Sequence, residues 1–501
     1  MKLLLISSLL GVLQFSAAYA DGTESIFQND RTKVNVGTEH FSDCNPILPL
    51  WEHIPDGEPH VFEDSDKSGK YRVYLYGSHD TRKDEYCGTD LVVWSAPLED
   101  LSNWRYDGVI YANNNYPEDP RLMFAPDVAE VTKEGVKRYY LYPNEQRAPR
   151  ADVAIAESPK GPFVNMGKSN LIGFDPAILV DDDGRVYAYW GFNKSYGAEL
   201  DPTTMCTLKP GTKVVEDMVS NRKDDDSFGS SAKAQSERFR FFEASSIRKI
   251  DHMYVFVYSR FPHKVENRGG GQMLAYAYST NPLGPWTYGG PIITSPTGNI
   301  HGGLAQLNGE WYIFYHRDTN KNWFSRQACV EPVKIEIKGN RVKIDEVPCT
   351  SMGFNKEGLN PYKKYPAAIA CQFSNGAYAK ATYDTSINCN PVVMRNKAVV
   401  GYKYYNFDVI DSQLISVQID IIPKGVNGSI DIMIDNPFET EGGIKLGTVN
   451  ISSNAKSLLR TYSTAVSELK NIKGKRAVYL VCKSEGDKEM SEIYYLKFTK
   501  L

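Results

Sequence analysis

The sequence of 501 residues has no surplus of charge of either sign: 57 Lys and Arg stand against 61 Asp and Glu, a formal net charge of −4. So weak a field excludes a protein that grips a nucleic-acid backbone or an anionic lipid surface by charge. Long apolar runs are also missing, and beyond residue 20 no stretch of about twenty apolar residues could cross a bilayer. Cysteine is scarce and scattered, at positions 44, 87, 206, 329, 349, 371, 389 and 482, with no Cys-x-x-Cys pair, which argues against zinc. Helical periodicity is almost absent.

One short apolar run, Leu3 to Val12, follows Met1-Lys2 and leads to Ala18-Tyr19-Ala20, the layout of an export signal cut after Ala20. No cysteine follows that point to carry a lipid. The expectation is a signal over 1–20 and a mature chain, periplasmic or secreted, with no membrane anchor and no nucleic-acid partner. A few disulfides are expected outside the cytoplasm, with pairings that spacing does not reveal.

Aromatic residues are plentiful: 32 Tyr, 21 Phe and 7 Trp make 12% of the chain, suited to strands and to stacking against flat ligands such as sugar rings. Tyrosine-rich strand patterns recur around Tyr74, Tyr140, Tyr187, Tyr254 and Tyr312 at similar intervals. Turn markers such as Ser158-Pro-Lys-Gly-Pro and Ser279-Thr-Asn-Pro-Leu-Gly-Pro follow some of them. A sandwich or a large barrel also uses alternating Tyr, but the near-regular repeat favours a five-bladed β-propeller, whose inner strands line a central channel. After Pro361 the pattern changes to short alternating segments such as Leu414 to Ile421 and Arg476 to Val481, sized for a β-sandwich. The fold class is therefore all-β: a propeller over 21–360, then a β-sandwich (jelly-roll) over 361–501.

Three acids sit where inner strands begin, among apolar neighbours: Asp56-Gly-Glu58-Pro, Phe174-Asp175-Pro and Phe242-Glu243-Ala. A charge there is costly unless it is paired or used. A lone Asp before Pro commonly caps a turn. Three acids at matching places in a repeat suit glycoside hydrolysis, which needs one carboxylic acid to protonate the leaving oxygen and one carboxylate to activate water.

From Asn45 to Ile344 the sequence resembles glycoside hydrolase family 43. The likeness rests on Asn45-Pro-Ile-Leu-Pro49, Phe124-Ala-Pro-Asp-Val128, Phe174-Asp-Pro with Asp181-Asp-Asp-Gly-Arg185, Phe242-Glu-Ala-Ser-Ser246, His301-Gly-Gly303 and Tyr312-Ile-Phe-Tyr-His-Arg317. The resemblance implies an inverting five-bladed propeller enzyme in which Glu243 is the general acid and Asp175 orients it and tunes its pKa. Glu58 occupies the place of the general base, where the family has Asp, and Asp56 is the alternative base. His301 matches a channel histidine found beside calcium or water, or is an ordinary core histidine. Arg326 matches an arginine that contacts sugar hydroxyls, Asp127 would support the acids from behind, and Phe124 and Trp190 would stack on sugar or pack the channel. No cofactor is required; a structural calcium in the channel is the one ion implied. The second unit resembles a family 6 carbohydrate-binding module, with Tyr402, Tyr404 and Tyr405 as stacking candidates.

The resemblance implies an enzyme releasing terminal arabinofuranose or xylose from plant cell-wall polysaccharide, and the leader pattern implies that it is exported. The alternatives are a β-xylosidase of mixed or endo action, or a catalytically silent glycan-binding protein, the reading that a misplaced base would favour.

Overall fold

The computed structural model describes residues 39–501 apart from 113–120, 221–230, 232, 235–236, 267–270, 386–387, 413 and 467–471. The leader expected over 1–20 lies outside the described residues. Among the described residues, no helix is long and apolar enough to cross a membrane.

The chain is all-β. Besides a two-stranded sheet, Ile335–Lys338 with Arg341–Ile344, its first part lays down five larger antiparallel sheets in succession, whose strands pair in chain order except that Glu39–Phe41 flanks Asn103–Ala112, the last strand of the first. They begin with the strands Glu58–Glu63, Met123–Lys133, Ala177–Val180, Phe241–Ile250 and Leu304–Leu307. The five tyrosines aligned in the sequence each fall on the second strand of a sheet: Tyr71–Gly77, Val136–Glu145, Val186–Gly191, Met253–Arg260 and Glu310–Asp318. Those strands are buried on both faces for most of their length, which is why β-branched and aromatic residues fill them without strict alternation.

Packing follows a cyclic order. One apolar cluster joins the first and second sheets through Phe62, Tyr76, Val128 and Leu141. Others join the second to the third, the third to the fourth and the fourth to the fifth. A further cluster returns from the fifth to the first through Phe314, Val330, Val73 and Trp94. The opening strands touch in the same order, with Leu304–Leu307 against Glu58–Glu63. Chain segment 45–47 runs along the last strand of the fifth sheet: Ile47 N–H donates to Ala328 O at 3.1 Å, and Asn45 Nδ2 donates to Val330 O at 2.9 Å.

Residues after 361 form two more antiparallel sheets, one of six strands and one of five, which share a single apolar cluster. Cys44 and Leu50 of the first part belong to that cluster. The Arg317 guanidinium donates to the carbonyls of Ala368 and Ala370. Tyr402 and Tyr405 are fully buried in this core, so they cannot form a sugar platform, whereas Tyr404 is half-buried. All eight cysteines are unpaired, contrary to the disulfides expected. Six are buried, where a thiol packs as a small apolar side chain.

Candidate active site

The opening strands and the turns before them carry the polar side chains of the site. Asp56 precedes the strand Glu58–Glu63 and has φ of 57°, a left-handed turn conformation. That turn, rather than strand alternation, aims its carboxylate. Oδ1 accepts Arg326 Nη1 at 3.0 Å, and Oδ2 accepts the Ser78 hydroxyl. The His316 ring fixes the turn itself, its Nδ1 accepting Asp56 N–H at 3.1 Å while its Nε2 faces Asn299 Oδ1 at 2.9 Å. His316 is thereby a neutral Nε2–H tautomer, consistent with burial pushing its pKa down to about 3.

His301 lies between two acids: its Nδ1 is 3.7 Å from Asp56 Oδ1 and 3.7 Å from Asp175 Oδ2. Burial lowers His301 to about 4, so this imidazole too is neutral. Asp175 also has positive φ, 48°, and its Oδ2 accepts Ala244 N–H at 3.0 Å, tying it to the residue after Glu243. Glu243 Oε1 accepts Asn299 Nδ2 at 3.2 Å.

The electrostatics separate these carboxyls. Burial alone would raise Asp56, but the Arg326 charge first, with the Ser78 hydroxyl, holds it below the usual carboxylate range. Burial, then the charge of Asp56, pushes Glu243 up to about 7. Burial and the charges of Glu243 and Asp56 raise Asp175 well above its ordinary value. Like charges this close cannot all ionise, so the Asp175–Glu243 pair keeps a proton at neutral pH while Asp56 stays charged. An ionised base and a protonated acid in one buried cluster can divide acid and base work between them.

The profile of glycosyl hydrolases family 43 matches residues 66–340. The chain belongs to that family. A xylosidase/arabinosidase of Thermoclostridium stercorarium is 35% identical over 429 residues, covering 75% of this chain and 85% of that protein. An arabinoxylan arabinofuranohydrolase of Bacillus subtilis (strain 168) is 24% identical over 538 residues, covering 98% of this chain and 97% of its own. The crystal structure of a Bacillus subtilis family 43 arabinoxylan arabinofuranohydrolase with cellotetraose is similar at a TM-score of 0.48 and 21% identity, covering 91% of this chain and 97% of that one. As a family 43 member the chain is a glycosidase.

The sequence-predicted residues separate into two groups in this family 43 chain. Asp56, Asp175, Glu243, His301 and Arg326 come together; Glu58 does not join them. It opens its strand and is buried, with Oε1 accepting Ser246 Oγ at 2.9 Å and lying 2.6 Å from Arg248 Nη2. Arg326 is tied to protein rather than offered to sugar. Its Nε and Nη2 form a two-pronged pair with Asp80 at 2.9 Å each, and its remaining N–H groups reach Asp56, Asn299 and Cys87. A guanidinium has five N–H donors, and partners within the protein account for them. Trp190 is buried in the core, stacked on Tyr196 with centroids 5.6 Å apart, so it packs rather than faces the acids. Phe124 begins a chain of rings, Phe124–Phe174–Phe192–Phe242–Phe261, with centroid spacings of 5.6, 5.4, 5.2 and 5.0 Å. Phe174 and Phe242 immediately precede Asp175 and Glu243, so this chain borders the acids.

Sequence reasoning missed Asp80, Asn299 and His316. The first two lie in loops with no periodic signal; His316 stands within the quoted Tyr-His-Arg segment but reads as strand.

A second group lies further along the same strands: Glu58, His60 and Asp127 bring one ligand atom each within 4.8 Å of one another. Asp127 is already satisfied by His60 Nε2 at 2.7 Å and by the N–H groups of Val128 and Ile178 at 2.7 and 2.6 Å. Within this group Glu58 Oε2 is buried and has no hydrogen-bond partner among the described residues. Ca²⁺ takes about six to eight oxygens. These side chains would supply few of them, and water the rest. Burial raises Glu58, opposed first by Arg248.

Proposed function

We propose that this glycosidase is an exported, inverting, exo-acting enzyme that releases terminal pentose, arabinofuranose or xylose, from plant arabinoxylan or arabinan. Asp56 is its general base, Glu243 its general acid and Asp175 the residue that aims and tunes Glu243. The observation that carries the assignment is the placement of Asp56: its Oδ1 accepts Arg326 Nη1 at 3.0 Å and lies 3.7 Å from His301 Nδ1, which is itself 3.7 Å from Asp175 Oδ2, and the pKa directions, Asp56 down and Glu243 up to about 7, agree with it. Asp56 thus takes the place first expected of Glu58, which is bound up with Arg248 and Ser246.

In this scheme Asp56 removes a proton from water as the water oxygen bonds to the anomeric carbon. The anomeric carbon–oxygen bond breaks on the opposite face, and the leaving oxygen takes the Glu243 proton. One displacement gives the inverted sugar, and solvent restores both protonation states. His301 and His316 stay neutral and hold the acids in place. A calcium ion near His301, Glu58 and Asp127 would be structural and largely hydrated, and no step runs through it.

The pentose reading is supported by relatives named xylosidase/arabinosidase and arabinoxylan arabinofuranohydrolase. The cyclic order of the clusters supports a five-bladed propeller over 21–360, and the paired sheets after 361 a β-sandwich module. The export reading rests on the leader pattern alone. The test is release of arabinose and xylose from arabinoxylan, arabinan and the aryl pentosides, with the anomer of the first product read by NMR. Inverted pentose from wild type and none from Glu243→Gln supports the reading; a retained anomer contradicts it.

A further inference from the structure

Two loops decide where Arg326 points. One runs from the strand Tyr71–Gly77 to Asp90–Pro97 and carries Asp80; the other runs from Glu310–Asp318 to Arg326–Val333 and ends on Arg326 itself. Asp80 accepts from the main chain and the side chain of Arg326 together: N–H and Nε both reach Oδ2 at 2.9 Å, and Nη2 reaches Oδ1 at 2.9 Å. That grip leaves Nη1 aimed at Asp56 Oδ1, 3.0 Å away. Loops lack the ladder of bonds that holds a strand, so the grip is only as firm as whatever braces the loops.

The brace comes from the second part of the chain. Tyr383 follows the strand Tyr378–Ala379, and its hydroxyl donates to Arg82 O at 2.9 Å, two residues beyond Asp80. The same oxygen lies 3.0 Å from Ser325 Oγ, on the residue just before Arg326. With its one proton given to Arg82, the phenol accepts from Ser325, so a single hydroxyl ties both loops. Its ring packs on the fully buried His53 ring with centroids 4.6 Å apart, and His53 O accepts Asp80 N–H at 3.0 Å. Two further bonds run alongside: Asn320 N–H donates to Ala379 O at 2.7 Å, and Asn322 Nδ2 donates to Lys83 O at 2.8 Å. Through Arg82, Ser325 and His53, one side chain thus reaches the Asp80–Arg326 pair from three sides.

We propose that Tyr383 is a positioning residue for the reaction: from beyond the family 43 segment at 66–340 it locks the two loops so that Arg326 meets Asp56. It acts through Asp80 and Arg326 rather than on the reacting groups. The assignment rests on Asp56 as the general base, and it makes the C-terminal part a working piece of the active site. A residue that merely glues the two parts together would behave differently.

The test is steady-state kinetics of the full chain on an aryl arabinofuranoside and an aryl xyloside, with thermal melts, for Tyr383→Phe, Asp80→Asn, the two combined, and Lys363→Ala. Lys363 pairs with Asp43 at 2.7 Å across the same two parts without touching either loop, and serves as the control. Tyr383→Phe keeps the ring on His53 and removes only the hydroxyl. It should lower kcat about tenfold and move KM by less than about twofold, because a displaced catalytic group loses rate even when substrate still binds. Its melting temperature should stay close to that of wild type, while hydrogen exchange quickens in segments 79–87 and 319–326. Added to Asp80→Asn it should cost little more, since both act through Arg326. Lys363→Ala should leave kcat unchanged.

Wild-type kcat or unchanged exchange in Tyr383→Phe would overturn the assignment alone, as would a loss that multiplies fully with that of Asp80→Asn or is matched by Lys363→Ala. If Asp56→Asn keeps wild-type turnover, the general-base reading falls and this assignment falls with it.

Discussion

At the scale of single residues, the proposed mechanism turns on two acids driven apart in pKa. The Arg326 charge and the Ser78 hydroxyl act on Asp56, while burial and the Asp56 charge act on Glu243. The pH profile of kcat/KM should therefore be bell-shaped. Its acidic limb, where Asp56 takes up a proton and ceases to be a base, should fall below the usual carboxylate range. Its alkaline limb should lie near pH 7, where Glu243 loses the proton it must donate. A rate profile recorded from pH 3 to 9 checks this, and activity rising steadily to pH 9 would contradict the assignment of Glu243. The choice between Asp56 and Glu58 was not legible in the sequence. Both lie before apolar residues two positions apart, and on a strand they would share a face. The left-handed φ of Asp56 takes it off the strand, and only folding shows that Arg248, 190 positions after Glu58, lies on the Glu58 carboxylate.

At the scale of elements, the Glu58–Arg248 pair links the opening strands of the first and fourth sheets, with Arg248 Nη2 also donating to Pro59 O at 2.7 Å. Breaking one side of a buried pair leaves the other uncompensated, at a cost of about 3–5 kcal/mol. Arg248→Gln should destabilise the chain by about that amount, and Glu58→Gln added to it should recover part of the loss, measured by urea unfolding. A double variant less stable than Arg248→Gln alone would mean Glu58 is held by something other than Arg248. The strands themselves were legible: the recurring tyrosines fall on the corresponding strand of five sheets, because burial on both faces demands the same residue types each time. The loops were not. Asp80 and Asn299, which hold Arg326 and Glu243, lie in segments with no periodicity to read, and Trp190 looks like a stacking ring in sequence but is consumed by packing on Tyr196.

At the scale of the whole molecule, the change of pattern near residue 361 is visible in the sequence, but the contacts across it are not. Cys44 and Leu50 belong to the C-terminal apolar cluster, Arg317 caps the Ala368 and Ala370 carbonyls, and the Tyr383 hydroxyl donates to Arg82 O at 2.9 Å. A chain ending at residue 360 should therefore melt lower than the full chain and aggregate, since apolar groups and a buried guanidinium would lose their partners. Thermal melts with light scattering decide it, and equal melting temperatures would show that the first part stands alone.

The central claim is that Asp56, rather than Glu58, activates water opposite Glu243. Steady-state kinetics of Asp56→Asn and Glu58→Gln on an aryl arabinofuranoside and an aryl xyloside test it most directly. Asp56→Asn should lower kcat by about 10²–10⁴-fold with a folded chain, as loss of a general base does. Glu58→Gln should retain most of its turnover and show its effect in stability instead. Substantial turnover in Asp56→Asn with loss in Glu58→Gln would contradict the account.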